Sequence, residues 1–136
     1  MHSEEEDNHQ CWATDPKRLS AGPTTFRFDY CFDSFNASAA NFADQEHVFD
    51  SVGIDILAKA WSGFHACLFA YGQTGSGKTF SVMGSGSTYG VLPRLCEALF
   101  YFIERTGNTE AFKVDATYIE VYVSFAKIWL PLDLDV

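Results

Sequence analysis

The sequence lacks the features that mark membrane, secreted and metal-binding proteins. Its apolar stretches, of which residues 66–71 are among the longest, are far too short to cross a bilayer. No apolar segment of a secretory signal accompanies the acidic N-terminus, which carries Glu4, Glu5, Glu6 and Asp7. The four cysteines and four histidines show no metal-ligand spacing, and the cysteines lie in or beside apolar segments. These absences predict a cytoplasmic protein with reduced thiols and no metal cluster of Cys and His.

Positive charge is also scarce. Nine Lys and Arg stand against 18 Asp and Glu, which gives a net charge of −9 and a pI of about 4.6. This balance argues against nucleic acid or an anionic membrane surface as the main partner, and the longest apolar run argues against membrane insertion. The 136 residues are 47% apolar, which is enough for the core of one domain. Polar composition and chain breakers predict a flexible acidic tail or loop over residues 1–24, followed by a folded domain over 25–136.

Local patterns predict alternating strands and helices. Aromatic residues at every second position of 26–32 indicate a strand with one buried face. Asp44 is suited to cap a helix that runs to about Trp61, and residues 66–71 are typical of a fully buried parallel strand. The segments after these are a helix from Lys78 to about Met83, a flexible excursion over 84–88, a helix from Pro93 closed by Gly107, a central strand over 112–123, and a loop over 131–136. The order predicts an α/β layered fold with right-handed crossovers.

A complete phosphate-binding motif, G-x-x-x-x-G-K-[ST], follows the apolar run. Its residues are Gly72, Gln73, Thr74, Gly75, Ser76, Gly77, Lys78 and Thr79. The glycines let several backbone N–H groups face one anion, and the following helix adds its positive end. Lys78 can reach the β- and γ-phosphates, and the Thr79 hydroxyl can bind Mg²⁺. The motif predicts binding of a nucleoside triphosphate.

Residues for hydrolysis are not evident, so no catalytic residue is assigned. Turnover needs an acid near Mg²⁺ and a group that positions the attacking water. The D-x-x-G sequence at 50–53 falls inside a predicted helix, where solvated helix surface is the favoured interpretation. Glu120 is the best acid on a predicted strand, and a strand-surface carboxylate is the favoured interpretation there too.

The sequence around the loop, F-A-Y-G-Q-T-G-S-G-K-T at 69–79, closely resembles that of the kinesin motor domain. Further segments agree with it in order and spacing, namely F-D-Y-C-F at 28–32, D-Q with V-F at 44–49, G-V-L-P-R at 90–94 and Y-I-E-V-Y at 118–122. The resemblance covers about residues 26–123. Residues 43–45 and 69–71 are most similar to the vesicle-carrying kinesin-three subfamily.

The resemblance implies a P-loop NTPase-type three-layer sandwich and an ATP-hydrolysing motor that moves on microtubules in the cytoplasm. ATP and Mg²⁺ would be the cofactors, with phosphates on 72–79 and Mg²⁺ on Thr79. Phe80 stands where kinesins often place a ring against adenine, and packing in the core is an equally good interpretation. Residues 84–90 would be a loop near the nucleotide cleft whose length varies among kinesins.

Departures from the family pattern limit these expectations. No R-x-R-P segment lies in residues 1–24, and neither the N-x-x-S-S-R nor the D-L-A-G-S-E switch motif occurs in the sequence. The resemblance implies that most of the microtubule-binding face is missing as well. The sequence therefore predicts an incomplete motor fold, over 25–136, that binds nucleotide without turnover and binds tubulin weakly or not at all. The alternatives are a non-hydrolysing nucleotide- or partner-binding module, and a non-functional truncated gene product with open sheet edges.

Overall fold

The computed structural model describes residues 11–15, 18–21, 24–122 and 125–133, and the surroundings of side chains 25–121. The chain divides into two compact units, Met1–Cys96 and Glu97–Val136, which are considered in turn. Within the described ranges, no helix has the length and apolar character needed to cross a membrane.

The first unit begins with an antiparallel sheet of three strands, β1 (Cys11–Asp15), β2 (Arg18–Ala21) and β3 (Thr24–Arg27). The predicted flexible tail or loop over 1–24 is wrong for 11–15, 18–21 and 24, which belong to strands; residues 1–10, 16–17 and 22–23 lie outside the described residues. Each strand is short and has no strong strand pattern of its own. It forms because its neighbour supplies hydrogen-bond partners for the backbone, and local composition does not indicate such pairing.

The predicted strand over 26–32 is only partly formed. β3 ends at Arg27, and Phe28 and Tyr30 are about half exposed. The aromatic side chains of this segment therefore do not form the predicted buried face. The predicted loop over 34–43 is confirmed by its run of turns and by a single parallel bridge between Asp33 and Phe42. The chain in this part is therefore mostly irregular until the first helix.

The predicted helix from Asp44 to about Trp61 is confirmed, with a π-helical turn inside it. It comprises α1 (Gln45–Val48), the π turn Phe49–Gly53 and α2 (Ile54–Trp61). The Asp44 side chain accepts a hydrogen bond of 2.8 Å from the backbone N–H of His47, as a helix cap does. A Cβ on Gly53 would overlap the Phe49 ring, so the helix is closely packed at this glycine.

The apolar run 66–71 is not a strand, and the prediction of a buried parallel strand is wrong. Its backbone is irregular, and the exposed fractions of Phe69 and Tyr71 are 80% and 95%. No described strand pairs with this segment. A strand needs neighbours for its N–H and C=O groups, so a strand-like composition alone is insufficient.

After the glycine loop comes α3 (Lys78–Val82), as predicted, and then a tight hairpin of β4 (Gly84–Ser85) and β5 (Thr88–Tyr89). The hairpin replaces the flexible excursion predicted for 84–88. Gly84 has φ +90°, and a Cβ there would overlap the Thr88 carbonyl oxygen. A Cβ on Gly90 would lie 2.6 Å from the Val82 carbonyl carbon, so the backbone crosses itself closely at these two glycines.

The last long helix, α4 (Val91–Arg105), starts two residues before the predicted Pro93, and Gly107 follows its end with φ +68° as expected. In the second unit, Ile103 is almost fully buried. A 3₁₀ turn, Thr109–Ala111, leads to a hairpin of β6 (Asp115–Tyr122) and β7 (Phe125–Asp133).

The strand predicted over 112–123 is confirmed as β6, but not as a central strand. β7 is the one described neighbour of β6, and Ile119 and Val121 are exposed. The loop predicted for 131–136 is wrong over 131–133, which belong to β7, and 134–136 lie outside the described residues.

Candidate nucleotide-binding site

The predicted phosphate loop, residues 72–79, leads directly into α3. Gly75 has φ +81° and Gly77 has φ +86°, both in the left-handed region that glycine adopts without strain. The backbone N–H of Ser76 donates to the Gln73 carbonyl oxygen over 3.2 Å, which closes a turn at the tip of the loop. Gly77 stands immediately before the first residue of α3, so the loop ends at the positive end of a helix.

Lys78 lies against its own loop. Its Nζ donates to the carbonyl oxygens of Gly72 and Gln73, at 2.9 and 2.7 Å. Two neutral acceptors therefore hold the ammonium group on the loop. A phosphate oxygen carries negative charge and is a stronger acceptor, so it can replace these carbonyls without a change of fold.

An open cavity of about 380 Å³ lies beside the loop. Its lining residues are Thr74, Gly75, Gly77, Lys78, Thr79 and Phe80. The structure thus brings the predicted Lys78, Thr79 and Phe80 together at one open surface. Thr79 is exposed, and Phe80 is 47% exposed, which disagrees with the interpretation of Phe80 as a core residue. Its stacking against a base stays a prediction.

The structure agrees with the surface interpretation of Asp50 and Glu120, the two acids to which no catalytic role is assigned. Asp50 is exposed in the π turn, inside the predicted helix. Glu120 lies on β6, in register with Lys127 of β7. Across the part of the chain that the structure describes, no group of three or more His, Cys, Asp or Glu side chains is placed to hold a metal ion.

Gln45 is a residue that the sequence analysis missed. It is the first residue of α1, yet its side chain is only 6% exposed. Its Nε2 donates a 2.7 Å hydrogen bond to the backbone carbonyl oxygen of Phe80, 35 residues away. The D-Q sequence at 44–45 is the one local signal for this residue. It marks the family resemblance and does not indicate a role for the glutamine. A contact at this separation has no local pattern.

Comparison with known proteins agrees with the resemblance found in the sequence. The family model of the kinesin motor domain matches residues 1–126. KIF13A of Mus musculus is 51% identical over 102 residues, which cover 74% of this chain and 6% of that protein. KIF16B of Mus musculus is 41% identical over 100 residues, which cover 72% of this chain and 8% of that protein.

A solved structure is similar as well. The KIF14 dimer in its "two-heads-bound state - AMP-PNP in complex with a microtubule" has a TM-score of 0.68 and 26% identity, over 90% of this chain and 43% of that one. The chain therefore spans a small part of the relatives that it matches. The fold is α/β, and it is an incomplete kinesin motor fold. KIF13A and KIF16B are kinesin-three proteins, in agreement with the subfamily resemblance. On these findings the chain belongs to the kinesin motor domain family.

Proposed function

We propose that residues 72–79 bind Mg²⁺-ATP, and that the chain is the nucleotide-binding part of an ATP-driven, microtubule-based kinesin motor. One observation carries the proposal: an intact glycine loop opens into α3 with Lys78, Thr79 and Phe80 on one cavity. The family supports a microtubule motor function, and the similar KIF14 dimer is a complex with AMP-PNP and a microtubule. Microtubule association in the cytoplasm is the corresponding proposed location.

Each residue of the loop has a proposed task. Backbone N–H groups of 72–79 receive the phosphates, and Lys78 exchanges its carbonyl partners for β- and γ-phosphate oxygens. The Thr79 hydroxyl is one ligand of Mg²⁺, and the Phe80 ring packs against adenine. Lys78 and Thr79 are adjacent in α3, so the metal and the phosphates would be held by the same short helix.

The Mg²⁺ role is tested by Thr79→Val, which removes the hydroxyl and keeps the size of the side chain. The wild-type chain should bind ATP more tightly in Mg²⁺ than in EDTA, and Thr79→Val should lose that gain, about tenfold in dissociation constant. Thr79→Ser keeps the hydroxyl and is the matched control. Calorimetric titration measures all three; equal Mg²⁺ dependence of the Val and Ser variants would contradict the role, and no ATP binding by the wild type would reject the proposal.

Turnover is not expected of this 136-residue chain. The sequence contains neither switch motif, and hydrolysis needs groups that complete the Mg²⁺ site and place the attacking water. We expect phosphate release, with or without microtubules, to equal that of Lys78→Ala. Tubulin binding should be weak or absent, because the chain has a net charge of −9. Release above the Lys78→Ala level on addition of microtubules would overturn this expectation.

A partner-binding module without turnover is the second candidate. The observation that favours it is the exposed apolar run 66–71 immediately before the loop, because large exposed apolar patches commonly mark interaction sites. The same surface would also make a truncated gene product unstable. Failure of the wild-type chain to bind ATP would favour these two alternatives, because neither requires an occupied phosphate loop.

A further inference from the structure

The buried amide of Gln45 stands out among the side chains that the structure describes. Gln45 is the one buried polar residue of that part of the chain, and a buried polar side chain is costly unless it is hydrogen-bonded. The cost is met by the 2.7 Å bond from Nε2 to the Phe80 carbonyl oxygen. The amide therefore joins the start of α1 to the helix that follows the phosphate loop.

The accepting carbonyl belongs to Phe80, the middle residue of α3, and is one of the last four carbonyl groups of that helix. The last four carbonyl groups of a helix have no partner within the helix, and α3 ends at Val82. The N–H of Met83 bonds to the Thr79 oxygen, and Gly84 then turns away into β4 with φ +90°. Gln45 supplies a donor for the Phe80 carbonyl at this point. Its partly positive N–H₂ also faces the negative end of the helix dipole.

The bond matters because α3 is too short to be stable alone. It has five residues, and isolated helices of that length do not persist in water. Three of the five are Lys78, Thr79 and Phe80, the side chains on the cavity. Gln45, by contrast, is firmly placed, since the Asp44 side chain caps α1 with the 2.8 Å bond to the His47 N–H. A fixed amide thus holds a marginal helix.

We propose that Gln45 is a positioning residue of the nucleotide site: through the Phe80 carbonyl it sets the position of α3, and with it the reach of Lys78 and Thr79 toward the phosphates. This inference rests on the proposed function. Gln45 does not touch nucleotide in this role. It acts through a backbone carbonyl of α3 instead.

The first variant is Gln45→Met, which keeps an unbranched side chain of similar length and removes the donor. We expect its dissociation constant for Mg²⁺-ATP to rise about tenfold, because one buried hydrogen bond is lost and Lys78 and Thr79 are no longer fixed. Glu46→Met is the matched control. Glu46 is exposed on the same turn of α1 and should change the constant by less than about twofold.

A double-mutant cycle with Lys78→Ala separates positioning from general destabilisation. Residues that act through one another give non-additive effects, whereas independent sites add. In the Lys78→Ala background, Gln45→Met should therefore weaken ATP binding by about threefold instead of tenfold, because only the part of its effect that acts through Thr79 remains. Affinities are compared per folded molecule, with the folded fraction taken from thermal melting by circular dichroism. Full additivity of the two substitutions would overturn the positioning role.

The variants also distinguish a loss of folding from a loss of nucleotide binding. If Gln45→Met does not fold, Gln45→Asn carries the same test, since it retains the amide but is one methylene too short to keep the bond. If neither variant folds, Gln45 is a structural residue and the positioning role is rejected. A wild-type chain that does not bind Mg²⁺-ATP rejects the proposed function together with this inference. A wild type that binds, with Gln45→Met binding equally well, rejects this inference alone.

Discussion

Replacement of Gly84 by alanine should lower the free energy of unfolding by about 3 kcal/mol. The new Cβ would overlap the Thr88 carbonyl oxygen and lie 2.5 Å from the backbone nitrogen of Gly90. Both are backbone atoms, so no side chain can swing aside to make room. The residue would also be strained by its φ of +90°.

The hairpin could open to relieve this overlap only at a high cost in free energy. The close approach of the backbone at Gly84 and Gly90 joins α3 to α4. The Gly90 N–H donates to the Met83 carbonyl oxygen at 3.1 Å, just after α3, and the buried Val91 begins α4. Urea denaturation followed by circular dichroism measures the loss of stability. Gly86→Ala is the matched control: Gly86 also has a left-handed φ, +58°, but a Cβ there meets open space, so about 1 kcal/mol is expected. Equal losses in the two variants would show that the close crossing is not the cause.

Replacement of Lys78 by alanine should weaken ATP binding about 30-fold. The ammonium group is the cation aimed into the loop, and a charge-assisted hydrogen bond to phosphate contributes about 2 kcal/mol. Without nucleotide, Nζ bonds only to the Gly72 and Gln73 oxygens near the surface, so unfolding in the absence of ATP should change by less than about 1 kcal/mol.

Calorimetric titration and urea denaturation of the same preparations separate these two effects. Lys59→Ala is the control, because Lys59 is an exposed lysine in α2 and its replacement removes the same charge from the chain. It should leave ATP affinity within about twofold, since exposed charges are well screened. An equal loss of affinity in Lys59→Ala would mean that net charge, and not the position of Lys78, governs binding.

Features with a local cause could be predicted from the sequence. Asp44 caps its helix, Gly107 follows the end of α4, and the glycines of 72–79 take left-handed conformations, because each depends on residues within a few positions. The grouping of Lys78 and Thr79 follows from the same motif.

Features that depend on distant partners could not be predicted in this way. Residues 66–71 have the composition of a buried strand, but no described strand supplies hydrogen-bond partners, so the aromatic side chains stay exposed. β1 and β2 show the reverse case. Their composition predicts a tail, but pairing with neighbouring strands makes these segments extended. The bond from Gln45 to Phe80 joins residues 35 positions apart, and no periodicity reports it.

The crossing at Gly84 and Gly90 also restricts where evolution can lengthen this part of the chain. The two backbones approach so closely that residues inserted beside either glycine would separate α3 from the start of α4. The turn at 86–87 is exposed, and a Cβ at Gly86 meets open space, so residues added there extend outward at little cost. Relatives with a longer segment between the two helices should therefore carry their extra residues at the hairpin tip and keep small residues at both ends.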